Sequence, residues 1–249
     1  MQIQRKEHAM KVTYIEHSGF LLEWEHCVWL FDYYKGTIPE IPREKKILVF
    51  ASHSHGDHFN PEIFEKFAGY PHVEYLFASE IRHKVRKLDL PGEQMERITF
   101  LKPHQSWCTQ DGAGEEIELR TYRSTDLGVA FLVAYQGKKI YHAGDLNWWV
   151  WKGESKQEYN NMTANFQREI QLLSQEAGHI QIAFVPLDPR QEEWYRLGMD
   201  YLLEQVEVDT VFPMHFWGDF SVIERYKKEQ TQYADKLIPI SGEGFEVVL

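Results

Sequence analysis

Apolar positions in this chain gather in short continuous runs, many of them β-branched or aromatic, separated by turn residues. The runs at 11–19, 20–24 and 27–32 predict three strands that pair as a hairpin or meander, so the chain opens as sheet. The run at 47–50 predicts a buried strand on the same grounds. Ile63, Phe64 and Phe67 then mark a short helix, with Asn60-Pro61 supplying an N-cap and a first helical residue. A strand at 75–78 leads to Ser79, an N-cap for a helix that carries Ile81, Val85 and Leu88 and ends at Pro91-Gly92. Strands at 97–101, 117–122, 129–135 and 139–142 form a second β-rich block, with glycine turns at 112–114 and 136–137. Two βα units follow. Phe166, Ile170, Leu173 and Ala177 share one face of a helix over 163–177, and a strand covers 181–185. Met199, Leu202, Leu203 and Val206 stripe the next helix, before a strand at 208–212. A short helix at 222–228 and strands at 237–240 and 245–248 complete the pattern. Residues 1–10 are polar and poorly patterned, and read as a short extension ahead of the first strand.

The length of 249 residues allows one large domain with a sizeable core, and no linker, repeat or low-complexity tract divides the span 1–249. A formal charge of -11, from 38 acidic and 27 basic residues, removes the usual electrostatic drive for binding nucleic acid. The basic clusters are short and scattered, as on solvated faces. Cys27 and Cys108 make no disulfide framework and no CxxC pair, which fits a reducing compartment. No apolar run approaches the length of a membrane span, and the first ten residues lack the apolar core of a signal peptide. The expectation is a cytoplasmic protein that acts on a small molecule, with neither nucleic acid nor membrane insertion.

Chemistry concentrates directly after the 47–50 strand. His53, His55, Asp57 and His58 place three imidazoles and a carboxylate within six residues. His53 and His55 project to one side if the chain stays extended, and Gly56 permits a turn that swings Asp57 and His58 back. One pair could serve one ion and the second pair another. A polar loop rich in histidine by chance is the plain alternative, but imidazole and carboxylate at this density are the preferred ligands of zinc and related divalent ions. Asp145 emerges at a strand end beside Gly144, and His215 follows the strand at 208–212, so both are further metal candidates. Asp32, at the end of its strand, either orders a ligating histidine through a hydrogen bond or is a turn aspartate. His17 is either a residue near the metal or substrate, or a partly buried histidine. Asp188 and Arg190 form a charged pair in a loop that contacts substrate or caps a turn. Trp148, Trp149 and Trp151 either pack the core or wall a pocket.

The string His53-x-His55-x-Asp57-His58, followed in order by Asp145 in Ala-Gly-Asp and His215 in Pro-Met-His, and preceded by Asp32, resembles the metallo-β-lactamase superfamily along almost the whole chain. The opening Glu16-His17-Ser18-Gly19-Phe20 is similar to stand-alone hydrolases of the ascorbate-6-phosphate lactonase and phospholipase-D-like kind. The resemblance implies an α+β fold, a four-layer αββα sandwich with the site at the sheet edges. It implies one or two zinc ions, with manganese or iron as alternatives, held by His53, His55, Asp57, His58, Asp145 and His215. The activity implied is hydrolysis of a small ester, lactone, amide or phosphoester by a metal-activated hydroxide, with Asp57 as the catalytic residue. One position departs from the family pattern. A further histidine is expected before a Ser-Thr pair, and here Arg123 precedes Ser124-Thr125. Arginine offers only donors and cannot ligate. Arg123, pointing inward, would instead bind a substrate anion, and His104 or His142 could replace the ligand. The gap leaves the first site open and weaker than the second. It also makes a metal-binding ligand sensor, or a catalytically weakened homologue, the alternative function.

Overall fold

The computed structural model describes residues 9–249. Two mixed sheets stack face to face with helices on their outer sides, an α+β arrangement. The first sheet is built from β1 (Lys11–Glu16), β2 (Gly19–Glu23), β3 (Cys27–Phe31), β4 (Lys46–Ala51), β5 (Val73–Ala78), β6 (Ile98–Leu101) and β13 (Glu246–Val248), in the order β13-β1-β2-β3-β4-β5-β6. The second contains β7 (Ser106–Gln110), β8 (Glu116–Arg123), β9 (Val129–Tyr135), β10 (Lys138–His142), β11 (His179–Pro186) and β12 (Glu207–Met214), in the order β12-β11-β10-β9-β8-β7. Buried aromatics interlock between them: Phe20 lies 4.4 Å from Phe184, Phe50 lies 5.4 Å from Phe131, and Trp24 lies 5.0 Å from Tyr135, centroid to centroid. Each such side chain contributes about 1.5–3 kcal/mol through the area it removes from water.

Among the helices, α1 (Ile63–Lys66) sets Phe64 4.8 Å from Tyr75 on the first sheet. Two further short helices, α2 (Arg82–Val85) and α3 (Gly92–Glu96), flank the connection into β6. On the second sheet, α4 (Lys156–Ala177) packs against β8, and α5 (Leu197–Gln205) packs against β11 and β12. The last helix is α6 (Ser221–Glu229). No described helix is long and apolar enough to cross a membrane.

Strand direction fixes what the fold can do. Antiparallel steps from β1 to β2 and from β2 to β3 make β1 parallel to β3, and β3, β4 and β5 continue in parallel. Two antiparallel steps likewise make β8 parallel to β10, which continues in parallel through β11 to β12. The C-terminal ends of β1, β3 and β4 therefore share one edge of their sheet, and those of β8, β10, β11 and β12 share one edge of theirs.

Several elements differ from the pattern-based expectation. The edge strand β7 alternates half-buried and exposed residues and has no apolar run to reveal it. Helix α4 starts well before residue 163, because Ser155 and Glu158 close a capping box while the first two turns present mostly exposed residues. Ser79 is no N-cap: it lies in a 3-10 turn that passes into α2, and Pro91 caps the start of α3 instead of only stopping a helix. Residues 237–240 form no strand, since only Leu237 bridges Val211. Met10 is fully buried and exchanges backbone hydrogen bonds with Leu249, so the core begins there. The expected extension otherwise falls on residues 1–8, outside the described residues.

Candidate metal centre

Seven strand ends deliver the polar side chains to one place. His17 follows β1, Asp32 follows β3, and the loop 52–58 follows β4. Asp126 lies just beyond β8, Asp145 beyond β10, Asp188 beyond β11, and His215 beyond β12. The turns that aim them are tight. His17, Asp32 and His215 all have positive φ, at 56°, 42° and 65°. Non-glycine residues adopt that region at a cost of about 1–2 kcal/mol each, which the surrounding sheet must offset.

Two sets of ligand-type atoms converge, each within 4.8 Å mutual distance: His17, Asp57, His58 and His215 in one, His53, His55, Asp126 and Asp145 in the other. Asp145 reaches both. Its Oδ2 lies 3.3 Å from His53 Nε2, while Oδ1 lies 3.2 Å from His58 Nε2 and 3.4 Å from His215 Nε2. His17 Nε2 stands 3.5 Å from Asp57 Oδ2, and His55 Nδ1 stands 3.4 Å from Asp126 Oδ2. In the first set the three histidines are buried and Asp57 is partly exposed, with 22% of its side chain accessible. In the second, His55 and Asp126 are about half exposed at 52% and 44% of their side chains, leaving that half of the site open.

Neighbouring hydrogen bonds fix which histidine nitrogens face inward. Asp32 is fully buried and accepts from Ser52 N (2.7 Å), Ser52 Oγ (2.6 Å) and His58 Nδ1 (2.8 Å), so His58 turns the lone pair of Nε2 to the cavity. Having given its one hydrogen to Asp32, Ser52 Oγ can only accept from His53 Nδ1 (2.9 Å), which leaves Nε2, 3.1 Å from His55 Nδ1, as the acceptor nitrogen of His53. Asp188 accepts from His215 Nδ1 (2.9 Å) with the same result. Buried His17 Nε2, His58 Nε2 and Asp145 Oδ1 have no hydrogen-bond partner. Lone pairs aimed at one another in a buried space are costly unless a cation lies between them. The donor set of imidazole nitrogens and carboxylate oxygens thus fits divalent ions.

Charge follows the same layout. Burial alone would raise the Asp145 carboxyl, but the imidazoles of His58, His215 and His53 outweigh it and hold it well below the usual carboxylate range. Burial, with His215 and His58 close by, pushes the His17 imidazole down to about 2, so it is neutral and a competent ligand. For Asp188 burial is outweighed by the hydrogen bonds from His215 and Arg190, which bring it to about 2. Asp32→Ala should loosen metal binding about 10- to 100-fold, read by competition with a metal indicator, because His58 loses the partner that orients it. An affinity equal to that of the unaltered protein would contradict this role for Asp32.

Three sequence expectations need correction. Arg123 is exposed at the end of β8 and does not line the site; its backbone N–H donates to Glu169. His104 is bound to Glu169 away from the centre (2.8 Å). His142 accepts from Gly144 N through Nδ1 and donates from Nε2 to Ser18 O, so no lone pair is left. The position of the expected histidine is served by Asp126, three residues after Arg123. Sequence reasoning missed it because an aspartate in a Ser-Thr-Asp turn carries no signal until the Ser124–Gly128 turn folds it back toward His55. Asn60 bonds Glu62 N and Tyr34 O, and α1 starts only at Ile63.

The centre opens into a cleft of about 390 Å³, walled by Trp149, Trp151, Met162 and Trp217. The tryptophans beyond β10 are thus wall as well as packing.

The model of the β-lactamase superfamily domain matches residues 11–157, which is more than half of the chain. The chain belongs to that superfamily. Among its relatives, the UPF0173 metal-dependent hydrolase of Methanospirillum hungatei is 24% identical over 237 residues, covering 90% of this chain and 89% of the relative. Solved structures share the fold at lower identity. Igni18, a metallo hydrolase from Ignicoccus hospitalis, aligns with a TM-score of 0.67 at 17% identity over 97% of this chain and 98% of its own. CmlA, a diiron β-hydroxylase from Streptomyces venezuelae, gives 0.60 at 11% identity over 100% of this chain and 55% of its own.

Proposed function

We propose that this superfamily member is a metal-dependent hydrolase of small ester, lactone, amide or phosphoester substrates, with two ions sharing Asp145. The observation that carries the reading is the pair of converging ligand sets, whose buried lone pairs face each other beneath an open cleft. Relatives named as metal-dependent hydrolases support it. Metal ions bound there would lower the pKa of a water and polarise the scissile group. The chain's own residues do the rest. His17, His58 and His215 with Asp57 make the more buried half, which binds its ion the more tightly. His53, His55, Asp126 and Asp145 make the exposed half, where substrate enters. Asp57 reaches the cleft, so its free oxygen can hold a proton or orient the attacking group. Zinc suits the imidazole-rich half, while the two carboxylates of the exposed half also suit manganese or iron, and a diiron protein on the same fold keeps iron open to the metal analysis.

Asp126 supports the catalytic reading over that of a weakened, non-catalytic sensor, since it brings the exposed set to four candidate ligand residues rather than three. Two thiols, Cys27 and Cys108, remain free, in keeping with a cytoplasmic setting.

Metal content by atomic emission and turnover of an ester, lactone and phosphodiester panel test the function. Chelation should abolish turnover and readdition of metal restore it; Asp126→Ala should cost one ion per chain, and Asp57→Asn should lower the rate about 100-fold or more. Turnover indifferent to chelator and to Asp57→Asn would overturn the proposal.

A further inference from the structure

Among the described residues, every carboxylate lining the cleft belongs to the metal sets, namely Asp57, Asp126 and Asp145, and the one permanently cationic side chain lining it is Arg190. Asp188, behind it, accepts from Arg190 Nε through both oxygens (2.9 and 3.0 Å) and again from Nη2. The guanidinium plane is thereby fixed. It lies 4.5 Å from the ring centre of Trp217 and 5.8 Å from that of Trp151, both partly exposed at the cleft mouth. Among the described residues Nη1 has no hydrogen-bond partner, so Nη1 and the second hydrogen of Nη2 form an edge facing away from Asp188 with donors to spare.

A guanidinium held only to cap the 188–190 turn would need neither the aromatic faces nor a place in the cleft wall. Stacking fixes a planar fork, and a planar fork with two parallel donors matches a carboxylate. Because Asp188 already shares the guanidinium charge, a singly charged group suits the free edge better than a dianion.

We propose that Arg190 is the specificity-determining residue of this cleft. It receives a carboxylate carried by the substrate, while Trp151 and Trp217 cover the apolar arm joining that carboxylate to the scissile bond. The substrate class is a carboxylate-bearing ester, lactone or amide. This rests on the reading of the cleft as a hydrolytic site, but recognition and turnover can be measured apart.

The first measurement needs no reaction. Tryptophan fluorescence of the metal-loaded protein is titrated with phenylacetate, phenyl phosphate and benzyl alcohol. Phenylacetate should bind about 10- to 100-fold more tightly than benzyl alcohol, as expected for charge-assisted hydrogen bonds. Arg190→Met, which keeps the apolar stem, should erase that difference, and Arg190→Lys should restore only part of it. Metal content and thermal midpoint are recorded for each variant, so that a disturbed His215 or a misfolded chain is recognised. The second measurement compares hydrolysis of a monoaryl succinate with that of its methyl ester. The acid should be preferred at least about tenfold in kcat/KM, mainly through KM, and the preference should vanish in Arg190→Met. Equal binding of acid and alcohol, tighter binding of phenyl phosphate, or a preference that survives Arg190→Met would overturn the proposal. Binding as expected with no hydrolysis of either ester would count against the hydrolase reading and leave the carboxylate site standing.

Discussion

Asp145→Asn should cost both the metal content and the activity of this protein. One side chain faces both ligand sets, with Oδ2 near His53 and Oδ1 near His58 and His215. An amide of the same shape offers a single acceptor oxygen and two donors, so it cannot bind two cations. Bound metal should fall from two ions per chain to one or fewer. Several kcal/mol of Lewis-acid stabilisation go with the lost ion, which at about 1.4 kcal/mol per decade is a rate loss of roughly a thousandfold. Atomic emission and steady-state kinetics check this together. A variant that keeps two ions and loses less than tenfold in rate would show that Asp145 does not join the sets.

Gly128→Ala should have the largest effect on stability. Gly128 has φ +73°, and a Cβ there would lie 1.9 Å from the Ser52 carbonyl oxygen and 2.8 Å from His53 Cβ. That same oxygen accepts the backbone hydrogen bond from Val129, so neither chain can retreat without breaking the contact between the β4 end and the β9 start. The combined steric and backbone cost is about 3 kcal/mol or more. For a chain of this size the melting temperature should drop by roughly 6–12 °C. Because the displaced segment carries Ser52 and His53, metal should also be held less tightly. Calorimetry with and without metal measures both, and an unchanged midpoint would refute the close approach.

The two variants also separate kinds of information. The motif His53-x-His55-x-Asp57-His58, with Asp32, Asp145 and His215 at strand ends, was readable because local chemistry and strand punctuation coincide: an apolar run ends and a polar side chain follows at once. The β-rich halves and the later βα units were readable for the same reason, since runs of buried residues leave a pattern whether or not their partners are known. Asp32 and Asp188 lie at such strand ends as well. The sequence left open what each binds, which the hydrogen bonds to His58 and His215 answer.

What stayed hidden lacked a local signature. The strand β7 has an edge to fill and no face fully buried, and the first turns of α4 are held by a capping box over exposed residues. Asp126, after β8, joins one candidate ligand set unannounced, and His17, after β1, which the sequence placed only near the metal or substrate, joins the other from the opposite sheet. Only the stacking of those sheets puts both beside the 52–58 loop. Arg190 replaces Arg123 as the cation of the cleft for a similar reason: the direction of a side chain at a strand end depends on the turn that follows. By itself the sequence determined the kind of ligands, their order and the strands that carry them, because those are properties of short segments. The tertiary structure alone decided which candidate ligands come within reach of one ion and which cation faces the cleft, because those are distances between segments far apart in the chain.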